Sequence, residues 1–92
     1  MKNFSGIHPT ALIGDDVSLG ENVIIGARSI IYDNVVIGDN CKIGADVILG
    51  EPNADIYHNS NAYQNPPLLI GNSSIIRSGT ILYAGSIFGD RL

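Results

Sequence analysis

Few side chains in this sequence could move a proton, hold a metal ion or grip an anion. The histidines are His8 and His58, the one cysteine is Cys41, and lysine and arginine together number five. Histidine is the side chain most often used as a general base, so these two come first. His58 stands in EPNADIYHNSNAYQNPPLL, where it reads three ways: as a surface residue, as a substrate contact, or as a base. Arg77 could offer a planar, bidentate grip on a pyrophosphate, and Tyr83 could contact a phosphate or a sugar. Zinc catalysis takes three protein ligands and an open fourth position, which two distant histidines and one cysteine do not supply, so no metal site is expected. No Ser, His and Asp arrangement with elbow spacing occurs, nor a G-x-x-x-x-G-K phosphate cradle.

These residues hang on an unusual period. An aliphatic residue returns at every sixth position through Ile7, Ile13, Leu19, Ile25, Ile31, Ile37, Ile43 and Leu49, and the pattern resumes at Ile70, Ile76, Leu82 and Phe88. A helix would want steps of three and four and a strand steps of two. The hexads IGDDVS, LGENVI, IGDNCK and IGADVI share one order: aliphatic, glycine, two polar residues, a small residue. Positions five and one lie two apart, so on a short strand they point the same way. The glycine and its polar neighbours are expected to turn the chain, glycine because it accepts positive φ and Asp or Asn because they tolerate it. Each hexad is then a short strand plus a corner, and three corners close a triangular coil of eighteen residues. Coils stack through parallel ladders at about 4.8 Å spacing.

The prism interior should hold Ile13, Leu19, Ile25, Ile31, Ile37, Ile43, Leu49, Ile70, Ile76 and Leu82. Beside them should lie Val17, Val23, Ser29, Val35, Cys41, Val47, Ser74, Thr80 and Ser86. Cys41 thus reads as a buried, inert thiol. At corner position two, Tyr32, Arg77 and Tyr83 replace the usual glycine, and such large side chains must project outward. A ligand contact, a solvated corner and a subunit contact all fit Arg77. Between Leu49 and Ile70 about fifteen extra residues enter at one corner. The chain is therefore read as one β-helix domain over 1–92, with coils at 7–50 and 70–92 and an inserted loop at 51–69. A loop on a rigid scaffold is a common home for binding residues; a surface excursion without a role is the other reading.

A chain of 92 residues makes at most one small domain and buries too little surface to be very stable alone. No apolar run approaches the roughly 18 residues of a membrane span, and the opening MKNFSGIHPTALIGDD lacks the apolar stretch of a secretory signal. The expectation is a soluble, cytoplasmic protein with no membrane partner. Net charge is −4, with the acids scattered among the turns and no basic stripe, which argues against nucleic acid. Residues just before each core aliphatic point outward: Leu12, Ile30 and Ile48 fall on one face, and Ile81 joins them if the insertion leaves the register of faces intact. The other faces are mixed, with Ser18, Val36 and Leu69 on one and Ile24, Lys42 and Ile75 on the other. An apolar outer stripe calls for a cover, so self-association through the first face is expected.

The repeat resembles the hexapeptide family of left-handed parallel β-helices, and the hand is implied by that resemblance. A finer likeness is to N-acetyltransferases of nucleotide-linked amino sugars. It rests on the opening IHPTALIG, the insertion after ILGEP, and LLIGNSSIIRSGTILYAGSIFGD. The resemblance implies acetyl-CoA as co-substrate, or an acyl carrier protein as donor, a nucleotide-linked amino sugar as acceptor, and a homotrimer with active sites between neighbouring prisms. It further implies direct attack of the amine on the thioester, a histidine base, and a backbone N–H for the oxyanion. That base is expected on a coil just beyond FGDRL, so the chain reads as the N-terminal part of such an enzyme, inactive by itself, with His8 belonging to the starting turn and His58 a weak substitute base. His58, Arg77 and Tyr83 are the expected substrate contacts. The reading from a different class is a non-catalytic β-helix subunit or assembly module.

Overall fold

Two aliphatic residues between corners leave room for only short strands, and that is what the chain builds. The computed structural model describes residues 6–92, so the first five residues of the opening segment lie outside it. The first six strands are β1 (Leu12–Ile13), β2 (Ser18–Leu19), β3 (Ile24–Ile25), β4 (Ile30–Ile31), β5 (Val35–Ile37) and β6 (Lys42–Ile43). Then come β7 (Ile48–Glu51), a single helical turn α1 (Asp55–His58), β8 (Leu68–Ile70), β9 (Ile75–Ile76), β10 (Ile81–Tyr83) and β11 (Ile87–Phe88). They form three parallel sheets in the orders β1-β4-β7-β10, β11-β8-β5-β2 and β3-β6-β9. The protein is an all-β, triangular parallel β-helix, consistent with the left-handed form.

Register follows the eighteen-residue coil and survives the insertion. Leu12 pairs with Ile30, Ile30 with Ile48, and Ile48 with Ile81 across the inserted residues. All four outward aliphatics therefore share one face: the spacing predicts it for Leu12, Ile30 and Ile48, and the kept register adds Ile81. Leu12 and Ile81 are exposed, and Ile30 and Ile48 half-buried.

The corners divide their labour differently from the sequence expectation. Positive φ falls on the fourth residue of the hexad, at Asp16, Asn22, Arg28, Asn34, Asn40 and Asp46, with values from 54° to 62°. The glycine before it is needed for close stacking instead. A Cβ at Gly26 would lie 2.6 Å from the Gly44 carbonyl carbon and 2.7 Å from the Ala45 nitrogen, inside any tolerable contact. Third-position side chains then stitch coil to coil. Asp33 Oδ1 accepts the N–H of Asp15 at 2.8 Å, Asp39 Oδ1 that of Glu21 at 2.8 Å, and Asn72 Oδ1 that of Asp39 at 2.8 Å.

The core matches the expected slots in the middle of the stack. Ile25, Ile31, Ile37, Ile43, Leu49, Ile70 and Ile76 are buried, with Val23, Val35, Cys41, Val47, Ser29 and Ser74. Ser29 is satisfied there: its Oγ donates to the Gly44 carbonyl at 2.8 Å and accepts the Val47 N–H at 3.1 Å. The expected burial fails at both ends. Ile13 is 40% exposed, and Val17, Leu19, Thr80, Leu82 and Ser86 are only half-buried, because an end coil has a neighbour on one side alone. Leu68 is a core residue that the spacing places inside the loop. It stands two before Ile70, pairs with Val35 and is fully buried. With β7 running to Glu51, the excursion from the prism is Pro52–Pro67.

Candidate functional site

The excursion follows a bulge at Gly50, whose φ is +78°, inside β7 where its register with β10 shifts. Its first residue, Pro52, is buried. The Asn53 carboxamide oxygen accepts the N–H of Asp55 at 2.9 Å, just ahead of the turn α1. The return is fixed by Asn65, only 9% exposed. Its Nδ2 donates to the carbonyls of Gly50 at 2.9 Å and Asp33 at 3.1 Å, and its Oδ1 accepts the Tyr63 hydroxyl at 2.7 Å. The same Tyr63 oxygen accepts the N–H of Asn53 at 3.1 Å, which ties the start of the loop to its end. Asn34 Nδ2 donates to the Asn65 carbonyl at 2.7 Å. One buried amide thus pins the loop against the corner below β4.

Between loop and corner lies a cleft of about 570 Å³. The prism wall is Asp15, Asp16, Tyr32, Asp33 and Asn34; the loop wall is built by Pro52, Ile56, Ser60, Tyr63, Gln64 and Asn65. The Tyr32 phenol is pushed above its ordinary pKa by burial first, then by the negative charge of Glu51 and its neighbour Tyr57, so at neutral pH it is a protonated donor. The lining holds three carboxylates and no lysine or arginine. Tyr32, Pro52 and Ile56 offer an apolar surface, and the amides and hydroxyls offer hydrogen bonds. This mixture offers packing to an apolar surface and hydrogen-bond acceptors to polar or cationic groups.

The cleft sits on a recognisable scaffold: a family model described as bacterial transferase hexapeptide (six repeats) matches residues 16–51. Over that stretch the chain is similar to the hexapeptide-repeat transferases. No curated protein matches the chain. The matched hexapeptide-repeat segment runs from β2 through β7 and supplies most of the prism wall of the cleft.

Relative to that segment, the residues expected from sequence fall in three places. His58 ends α1, is exposed, and lines a second hollow of about 500 Å³. That hollow shares Tyr63 and Gln64 with the cleft, so His58 adjoins the cleft without lining it. Tyr83 closes β10, opposite Glu51 in register and exposed, on the corner that carries the loop one coil earlier. Arg77 lies on the corner after β9 and lines a hollow of about 240 Å³ with Lys42. The three line no common hollow among those described. His8 is engaged in the starting turn: its Nδ1 accepts the Thr10 N–H at 3.1 Å and lies 2.9 Å from the Thr10 hydroxyl. Cys41 is buried, its Sγ 3.2 Å from the Gly71 carbonyl. Among the described residues no group of three or more His, Cys, Asp and Glu is placed to hold a metal ion. Sequence reasoning missed Asn65, Asn34 and Gln64. The one signal near Asn65 is the Asn-Pro-Pro run, which marks a turn and says nothing of its partners.

Proposed function

We propose that the protein is a hexapeptide-repeat acyltransferase that transfers an acetyl group from acetyl-CoA to the amine of a nucleotide-linked amino sugar. The observation that carries this is the cleft: a walled site on a transferase scaffold, rich in acceptors, with an aromatic and aliphatic surface for a sugar ring. The carboxylates of Asp15 and Asp16 attract the ammonium form, and Tyr32, Gln64 and Ser60 are placed for ring hydroxyls. For transfer, the neutral amine attacks the thioester carbonyl, the C–N bond forms as the C–S bond breaks, and the amine proton passes through a base to the departing thiolate. No histidine lines the cleft, so the base is assigned to a histidine on a following coil. Catalysis in a cytoplasmic homotrimer, with prisms meeting through the Leu12, Ile30, Ile48 and Ile81 face, completes the proposal. His58 and Tyr83 are substrate contacts in this reading.

The missing histidine also favours a second reading, a non-catalytic β-helix module. Release of free thiol from acetyl-CoA in the presence of amino-sugar nucleotides separates the two, using this chain and the product of the longest reading frame that contains it. Turnover that needs the longer product and falls in Asp16→Asn supports the enzyme. Turnover by this chain that vanishes in His58→Ala moves the base to the loop. Thiol release by neither leaves the module.

A further inference from the structure

Five basic residues serve the whole chain against nine acidic ones, so the place where two of them meet carries weight. Arg28 is already engaged: its Nε and guanidinium nitrogen reach the Asp46 carboxylate at 2.9 Å each. Lys42 and Arg77 instead line one hollow of about 240 Å³ with Ile75 and Ser78 and with no carboxylate in the lining. The fold brings them together. Lys42 points outward from β6 beside Ile75 of β9, and Arg77 follows two residues later at the corner. In the two preceding coils that corner holds Gly26 and Gly44, so the guanidinium has flat backbone alongside it. Ser78 Oγ accepts the Ala45 N–H at 3.0 Å, which leaves its own hydroxyl proton to donate.

We infer that this hollow is a phosphoryl-binding site, formed by Lys42, Arg77 and Ser78. Neither cation makes a side-chain hydrogen bond or ion pair with another described residue, so two exposed cations border one hollow whose lining holds no carboxylate. A bound dianion supplies the counter-charge. The ammonium comes from β6 and the guanidinium fork and hydroxyl from the corner after β9, which fits a group with several oxygens such as a phosphate ester or pyrophosphate. A single carboxylate would be satisfied by the guanidinium alone. Ile75, 57% exposed, gives an apolar border for the organic part of an ester. The cleft on the other corner has no cation in its lining, so the phosphates of any ligand are better held here. Both coenzyme A and a nucleoside diphosphate carry the required group.

Inorganic pyrophosphate is the first probe, titrated calorimetrically into the wild type, Lys42→Gln, Arg77→Gln, the double variant, and Arg91→Gln as a control cation on another corner. The expected result is salt-sensitive binding, weakened roughly threefold to tenfold by each single change and more by both, with Arg91→Gln unchanged. Absence of wild-type binding, equal affinity in the double variant, or an equal loss in Arg91→Gln would overturn the site. Coenzyme A and uridine diphosphate are then titrated into the same proteins. The ligand whose affinity falls in the double variant is the source of the phosphoryl group, and a fall for neither reduces the hollow to adventitious anion binding and overturns the site. These readouts need no acetyl transfer, so the site and the proposed activity fail separately.

Discussion

Replacing Asn65 with alanine should release the loop while leaving the prism intact. The side chain makes three hydrogen bonds, to the Gly50 and Asp33 carbonyls and from the Tyr63 hydroxyl. At a net worth of about 1 kcal/mol each, their loss is about 3 kcal/mol. Gly50 is buried, so its carbonyl would be left without a partner, which pushes the cost upward. Since about 1.4 kcal/mol is tenfold in an equilibrium, the closed loop should lose about two decades of preference over the open one. Amide hydrogen exchange followed by mass spectrometry reads this directly. Segments within 53–64 should exchange about a hundredfold faster than in the wild type, while the strands from Ile31 to Leu49 keep their protection. Asn65→Asp separates hydrogen bonding from packing: it keeps the shape and loses both donors, and it sets a carboxylate against two carbonyl oxygens. It should open the loop at least as far. A loop that stays as protected as the wild type in both variants would refute the view that Asn65 holds the cleft together.

Gly26→Ala should destabilise the stack itself, because the new Cβ meets backbone atoms at 2.6 and 2.7 Å that move only if two coils separate; overpacking of this kind costs about 1–3 kcal/mol, and a lowered thermal midpoint in circular dichroism checks it. Ile30→Lys combined with Ile48→Lys should abolish self-association without unfolding the chain, since both side chains are outward and half-buried; sedimentation velocity at micromolar concentration decides, and a wild type that is already a well-folded monomer would refute the interface.

The period was legible because a hexad is its own unit: positions five and one share a face whatever precedes them, so Ile25, Val35 and Val47 could be placed in the core from spacing alone. The face made by Leu12, Ile30 and Ile48 was legible for the same reason; Ile81 joins it because the insertion adds residues at a corner without moving the strands beyond it, which spacing alone leaves open. Burial at Ile13 and Leu82 was not, since it depends on how many coils lie above and below. The division of labour at the corners was misread because glycine satisfies both a positive φ and a close approach, and a sequence does not say which is demanded. Lys42 and Arg77 could have been joined from the register, which sets Lys42 beside Ile75. Asn65 could not: its partners lie 32 and 15 residues away, and a loop without period gives no rule for finding them.

The side-chain stitching at the corners gives the stack a direction. At the third hexad position Asp15, Glu21, Asp39, Ala45 and Asn72 each offer a backbone N–H to a side-chain oxygen of the following coil, whereas at the fourth and fifth positions Arg28 and Val47 give theirs to Thr10 and Ser29 of the preceding coil. At the third position, a coil already in place therefore presents a donor and the coil arriving after it brings the side-chain acceptor, while the arriving fourth residue returns its N–H to the earlier coil's carbonyl, as Asn34 does to Asp15. The two ends of the prism are chemically unlike, as the ends of a polar polymer are. Assembly from the N-terminal side meets a template at every step, and a ribosome delivers the coils in that order. Reversing the order of the hexads would keep the composition and the hydrophobic period while depriving each coil of the partner that its predecessor was built to receive.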